Sequence, residues 1–268
     1  MKNNMKAIKI LLIIIFSAYF SNAVSQWTQI GVQSGGRVSS ISKNGNIFFA
    51  STFGYGMFKS EDNGNIWRKT AFFGIFINSI ASKGSISIAG TTTGVYITTN
   101  SGQSWQQTSL NNFNVDGVNI SSNRIFAGSV SQPTGIYYSS NNGTNWIQST
   151  LNNRIINCIQ SKGNKIVAGT NTAGVYISTD EGNTWNQTSL NNNTVRSIHI
   201  DENKIIAGTS YDGIYKSTND GVSWVKTYNQ PGVIYSISCE NDTIFASSSL
   251  SGLLLSTNSG DSWINTGI

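Results

Sequence analysis

The sequence predicts an all-β protein, a single β-propeller of six four-stranded blades with one extra N-terminal outer strand. Three observations predict it. All seven tryptophans recur at near-constant spacing: Trp27, Trp67, Trp105, Trp146, Trp185, Trp224 and Trp263. Each of the last six closes an octapeptide of one pattern. Between the octapeptides lie short apolar runs bounded by Gly, Asn and Ser, and no segment sustains a helical period.

The elements follow in chain order. Lys2, Lys6 and Lys9 precede an apolar run, Ile10 to Phe20, too short to span a bilayer comfortably. Ala23-x-Ser25 then offers a small-residue cleavage signal. Residues 1–25 therefore read as a signal peptide and 26–268 as the mature propeller, with no transmembrane segment in it. The chain is expected to be secreted or periplasmic. Its formal charge of +5 falls to +2 without the three leader lysines, so the charge points to no nucleic-acid partner. Trp27–Ile30 is an outer strand without a blade of its own. It would latch the ring shut beside the last blade, or pair at its edge with a second copy.

Unit four shows the blade. Arg154–Gln160 is a strand, Gly163-Asn164 a turn, Lys165–Thr170 a second strand and Val175–Ser178 a third. The octapeptide leads to a fourth strand at Thr184–Thr188. A seventh blade would need three more strands than the chain contains.

The octapeptides are SEDNGNIW (60–67), TTNSGQSW (98–105), SSNNGTNW (139–146), STDEGNTW (178–185), STNDGVSW (217–224) and STNSGDSW (256–263). The third place holds Asp62, Asn100, Asn141, Asp180, Asn219 or Asn258, suited to an Asx-turn onto the backbone two residues on. The fifth holds Gly64, Gly102, Gly143, Gly182, Gly221 or Gly260, each free to adopt positive φ. The tryptophan is expected to start the next strand and bury a large apolar face.

This frame resembles the Asp-box, or bacterial neuraminidase repeat, of sialidases, xyloglucan-degrading hydrolases, sortilin-type domains and photosystem II assembly factors. The resemblance covers nearly all of 27–268. It implies a propeller whose boxes lie on the face away from the functional site. It carries no catalytic activity over by itself.

Six first strands align as RVSSI, FINSI, NVDGV, IINCI, TVRSI and VIYSI. Their central residues are Ser39, Asn78, Asp116, Asn157, Arg196 and Tyr235. These should ring the channel mouth on the face opposite the boxes, where they suit a polar ligand. Around them lie Arg37, Arg154, Tyr211 and Asp212, with Phe53, Tyr55, Phe72, Phe73, Phe76, Phe113 and Tyr228. Phe72 and Phe73 are expected to form an exposed apolar patch, and Phe76 to be buried.

Catalytic chemistry is poorly supported. A sialidase needs a glutamate behind its tyrosine nucleophile, and Glu61, Glu181, Glu202 and Glu240 all fall on the box side. The nearest stretch to the sialidase arginine signature is GGRVSS (35–40). A two-carboxylate hydrolase has only Asp116 and Asp212 to use at the mouth. His199 is the lone histidine, so no histidine cluster for zinc and no Ser-His-Asp set can be argued. The glycine-rich FGYG (53–56) precedes no helix that would cradle phosphate. Cys158 and Cys239 are expected as free, buried thiols. The expected function is a non-catalytic module binding a protein or a glycan, without metal or cofactor. The alternative is a glycoside hydrolase with its site at the mouth.

Overall fold

A computed structural model describes residues 38–52, 54–70, 72 and 74–267. Blade 1 is β1 (Val38–Asn44), β2 (Ile47–Thr52), β3 (Gly56–Ser60) and β4 (Arg68–Lys69). Blade 2 is β5 (Ile77–Lys83), β6 (Ile86–Thr91), β7 (Gly94–Thr98) and β8 (Gln106–Asn111). Blade 3 is β9 (Val115–Ile120), β10 (Ile125–Ser129), β11 (Gly135–Ser139) and β12 (Ile147–Gln148). Blade 4 is β13 (Ile156–Lys162), β14 (Lys165–Thr170), β15 (Val175–Ser178) and β16 (Asn186–Gln187). Blade 5 is β17 (Val195–Ile200), β18 (Ile205–Thr209), β19 (Ile214–Ser217) and β20 (Val225–Tyr228). Blade 6 is β21 (Ile234–Glu240), β22 (Thr243–Ser248), β23 (Gly252–Ser256) and β24 (Ile264–Asn265).

Each blade is an antiparallel meander in sequence order. The six together form a six-bladed β-propeller. No helix among the described residues is long and apolar enough to cross a membrane. The leader at 1–25 and the strand at Trp27–Ile30 lie outside the described residues. In unit four the outer strand is shorter than predicted, because Thr184 is still held in the turn by Asp180 at 2.9 Å. The inner strand starts two residues late, since Arg154 belongs to the link from the preceding blade.

The octapeptide turn is built around its first residue. In blade 4 the buried Ser178 hydroxyl accepts from Gly182 N at 2.8 Å and donates to Asp180 Oδ1 at 2.7 Å. Asp180 Oδ1 also accepts from Thr184 N at 2.9 Å. The same hydroxyl–amide–backbone set recurs in the Asn boxes, as at Thr98, Asn100, Gly102 and Ser104. The Asx side chain thus reaches four residues on, where the sequence predicted two. Two successive residues, not the glycine alone, take positive φ: Glu181 at 56° and Gly182 at 83°. The six box tryptophans are half-buried and stand just ahead of the outer strand.

Blades stack through repeated apolar seams. The seam between blades 4 and 5 joins Val167, Val175 and Leu190 to Val195 and Ile198. Leu190 comes from the link five residues past Trp185. Phe72, Leu110 and Leu151 hold the same place after their own tryptophans and are 4–7% exposed. The box glycines of blades 2 to 6 lie in these seams too. A Cβ on Gly182 would come within 2.6 Å of the Phe126 ring in blade 3. One flank differs. Val38 and Ile41 of blade 1 are 52% and 60% exposed, whereas the five residues equivalent to Val38 are at most 1% exposed. On blade 6, Phe245 and Leu253 are half-buried where Ile206 and Ile214 of blade 5 are fully covered.

Two tests follow from the turn. Gly182→Ala suffers both the positive φ and the Phe126 overlap, and should cost about 3 kcal/mol. Gly163→Ala has a φ of 60° but nothing within 4 Å of the new Cβ. It should cost about 1 kcal/mol, so urea midpoints should fall in that order. Hydrogen bonds from the Thr184 amide, the Thr184 hydroxyl and the Ser178 hydroxyl lower the Asp180 carboxyl to about 2. A carboxyl depressed on folding stabilises above its ordinary value of 3.8 and loses that contribution as pH falls toward 2. Asp180→Asn, the residue four other boxes use, should keep the fold and flatten acid unfolding over that window.

Candidate functional site

The mouth is made by six bulges. In every inner strand one residue has no opposite partner on the second strand. Ile156 pairs with Thr170 and Cys158 with Gly169, which leaves Asn157 over. The same skip leaves Ser39, Asn78, Asp116, Arg196 and Tyr235 over in their blades. A bulge bends the strand and re-aims the extra side chain. All six point into one cavity of about 790 Å³, which Val38, Tyr211, Val233 and Ser247 also line. The six predicted ring residues are therefore brought together, with Tyr211. Arg154 and Asp212 lie outside the lining, and Arg37 lies outside the described residues.

The six do not do the same work. Ser39 Oγ donates to the Ile77 carbonyl at 2.6 Å. Asn78 Nδ2 donates to the Val115 carbonyl at 3.0 Å, and Asn157 Nδ2 to the Val195 carbonyl at 2.9 Å. Each ties its blade to the first inner-strand residue of the next. A carboxylate cannot donate, so Asp116 has no such tie, and none of the described residues donates to it. Among the described residues Arg196 gives only its Nε, to Ser210 Oγ at 3.2 Å. Tyr235 is 60% exposed and Tyr211 is 75% exposed, the latter held at a φ of 68° that aromatic residues rarely adopt. Three ring residues lock blades together; Asp116, Arg196 and Tyr235 make no such tie among the described residues.

Burial pushes the Asp116 carboxyl above its ordinary value, and Arg196 pulls it part of the way back. The two do not form an ion pair, so the cavity holds a separated negative and positive group. Asp212 is spent elsewhere. It accepts from Asn193 Nδ2 and from the Tyr215 hydroxyl, both at 2.6 Å, and pairs with Lys226. Burial raises its carboxyl, but these bonds outweigh it and hold the group below its ordinary value. Asp116 and Asp212 thus do not converge as a catalytic pair, and no glutamate lines the cavity.

The aromatic surround is rearranged from the prediction. Phe72 is no surface patch: it is 7% exposed and packs edge-on against Tyr96 and Trp105, because the link residue fills the seam. Phe73 and Phe53 lie outside the described residues. Phe76 is 38% exposed rather than buried, since the inner strand begins one residue later. Tyr55 is exposed, Phe113 packs on Tyr137, and Tyr228 donates to Ser251 Oγ at 2.7 Å. Arg154 Nε donates to the Tyr176 hydroxyl at 3.2 Å. Both thiols are free; Cys158 packs against the seam of blades 4 and 5, where burial pushes its thiol up to about 12, whereas Cys239 is half-buried. The structure also groups His199, Asp201 and Cys239.

No family model and no curated protein matches the chain. Solved structures do. YCF48 from Cyanidioschyzon merolae aligns with a TM-score of 0.69 at 13% identity, over 89% of this chain and 87% of its own. YCF48 bound to D1 peptide aligns with a TM-score of 0.67 at 14% identity, over 86% and 82%. The GH74 xyloglucanase from Xanthomonas campestris aligns with a TM-score of 0.70 at 12% identity, over 89% of this chain and 46% of that one. The chain spans less than half of the xyloglucanase. At these identities the likeness establishes the propeller fold alone.

The electrostatics of the mouth are testable. A carboxyl raised on folding costs stability as pH rises above its unfolded value. Asp116→Asn should therefore raise the urea midpoint at pH 7 and give no gain near pH 3. Arg196→Ala should move the Asp116 titration, followed by carboxyl NMR, further up.

Proposed function

We propose that the chain is a secreted or periplasmic, non-catalytic propeller that binds a segment of another protein at the channel mouth. The observation that carries this is the presence of Asp116 and Arg196 in one cavity, neither in an ion pair with any described residue, beside exposed Tyr211 and Tyr235. Separated charges of both signs suit a peptide, which carries its own amines, carboxylates and amides. Tyrosine supplies contact area at little entropic cost. The peptide bound to the similarly folded YCF48 supports the reading by analogy. The basic, then apolar, then small-residue N-terminus supports export. The octapeptides, in this reading, are Asp-boxes that serve as blade corners.

A glycan ligand is the second reading, favoured by the exposed tyrosines beside Asn78 and Asn157. Glycoside hydrolysis is disfavoured by the commitment of Asp212 to Lys226. The test is binding of the purified chain to a peptide library and a glycan array in parallel. Peptide binding that drops at least about tenfold in both Asp116→Asn and Arg196→Ala supports the proposal. Glycan binding alone transfers the site to the second reading. Binding indifferent to both substitutions refutes the mouth as the site.

A further inference from the structure

At the opposite end of the inner strands, blades 5 and 6 bring three metal-ligating side chains together. His199 lies on β17 and Asp201 one residue past its end, so strand alternation sets both on one face. Cys239 comes from β21 of the next blade. One ligand atom from each lies within 4.8 Å of the others. We propose that His199, Asp201 and Cys239 form a binding site for a borderline-soft divalent cation of the zinc type.

The donor chemistry fits. Imidazole, carboxylate and thiolate are the usual zinc ligands, at about 2.0–2.3 Å. Closing on an ion at those distances draws the three groups together by about 1 Å. None of the described residues hydrogen-bonds the His199 ring nitrogens, which leaves either one free to coordinate. The Asp201 carboxylate is already oriented. Its Oδ1 accepts from Asn203 N and Lys204 N, each at 2.9 Å, as an outer shell orients a ligating carboxylate. The Cys239 thiol donates to the Asn241 carbonyl at 3.1 Å, a bond that ends when it ligates.

Charge also balances. On binding, the thiol proton leaves to solvent, and thiolate plus carboxylate neutralise the dication. Lys204 sits 2.6 Å from Asp201 Oδ2 and has Asp242 within electrostatic reach as a second counter-ion. With three protein ligands, the fourth position of a tetrahedral site is left to water.

The test is titration of the reduced, purified chain with Co²⁺. One equivalent should produce a near-ultraviolet thiolate-to-cobalt charge-transfer band, which Zn²⁺ then abolishes. Cys239→Ser, nearly isosteric, should lose the band while keeping the wild-type urea midpoint. His199→Ala should weaken binding by at least about tenfold. Cys158→Ser should leave the titration unchanged. Absence of the band in the folded wild-type chain, or its persistence in Cys239→Ser, overturns the proposal.

Discussion

In each blade the inner strand carries one residue more than the second strand can pair. The rest of the architecture depends on that skip. Val195 and Ile198, three apart, are both buried in the seam with blade 4, at 0% and 3% exposure. Regular alternation would put residues three apart on opposite faces. The bulge reconciles the two, and the spare side chain has only the channel to enter. Packing between blades and presentation of the polar mouth are thus one constraint. A blade cannot bury its apolar pair without aiming a third residue inward.

That constraint explains how a uniform ring comes to present chemically different side chains. Where the spare residue can donate, it is consumed by the next blade, as with Ser39, Asn78 and Asn157. Where it cannot, or is too long, its chemistry remains available, as with Asp116, Arg196 and Tyr235. The flank of blade 1 shows the dependence from the other side. Val38 and Ile41 are the same apolar pair, but among the described residues no seam covers them, and both stay exposed.

The blade corners were legible in the sequence because each turn position needs a particular chemical group: a hydroxyl, an Asx side chain, a glycine. The ring residues were legible by alignment of the inner strands. The bulge that aims them was also written there, as an apolar pair spaced by three in every repeat, but it conflicts with strand alternation and went unread. Phe72 was misjudged because a link residue and a surface residue look alike without knowing that links fill seams. The His199, Asp201 and Cys239 group was illegible for a different reason. It crosses two blades, and nothing local in either strand reports their relative height. Asp212 was drawn into the mouth by its place in the chain, whereas its partners Lys226 and Tyr215 are set by pairing across β19 and β20.

The most direct test compares removing a bulge residue with replacing it. Arg196→Ala keeps the extra residue, and deletion of Arg196 restores regular pairing while turning Val195 away from its seam. The account predicts a near wild-type urea midpoint for Arg196→Ala and a loss of at least about 3 kcal/mol for the deletion. A deletion tolerated as well as the alanine substitution would contradict it, because the seam would then not require the bulge.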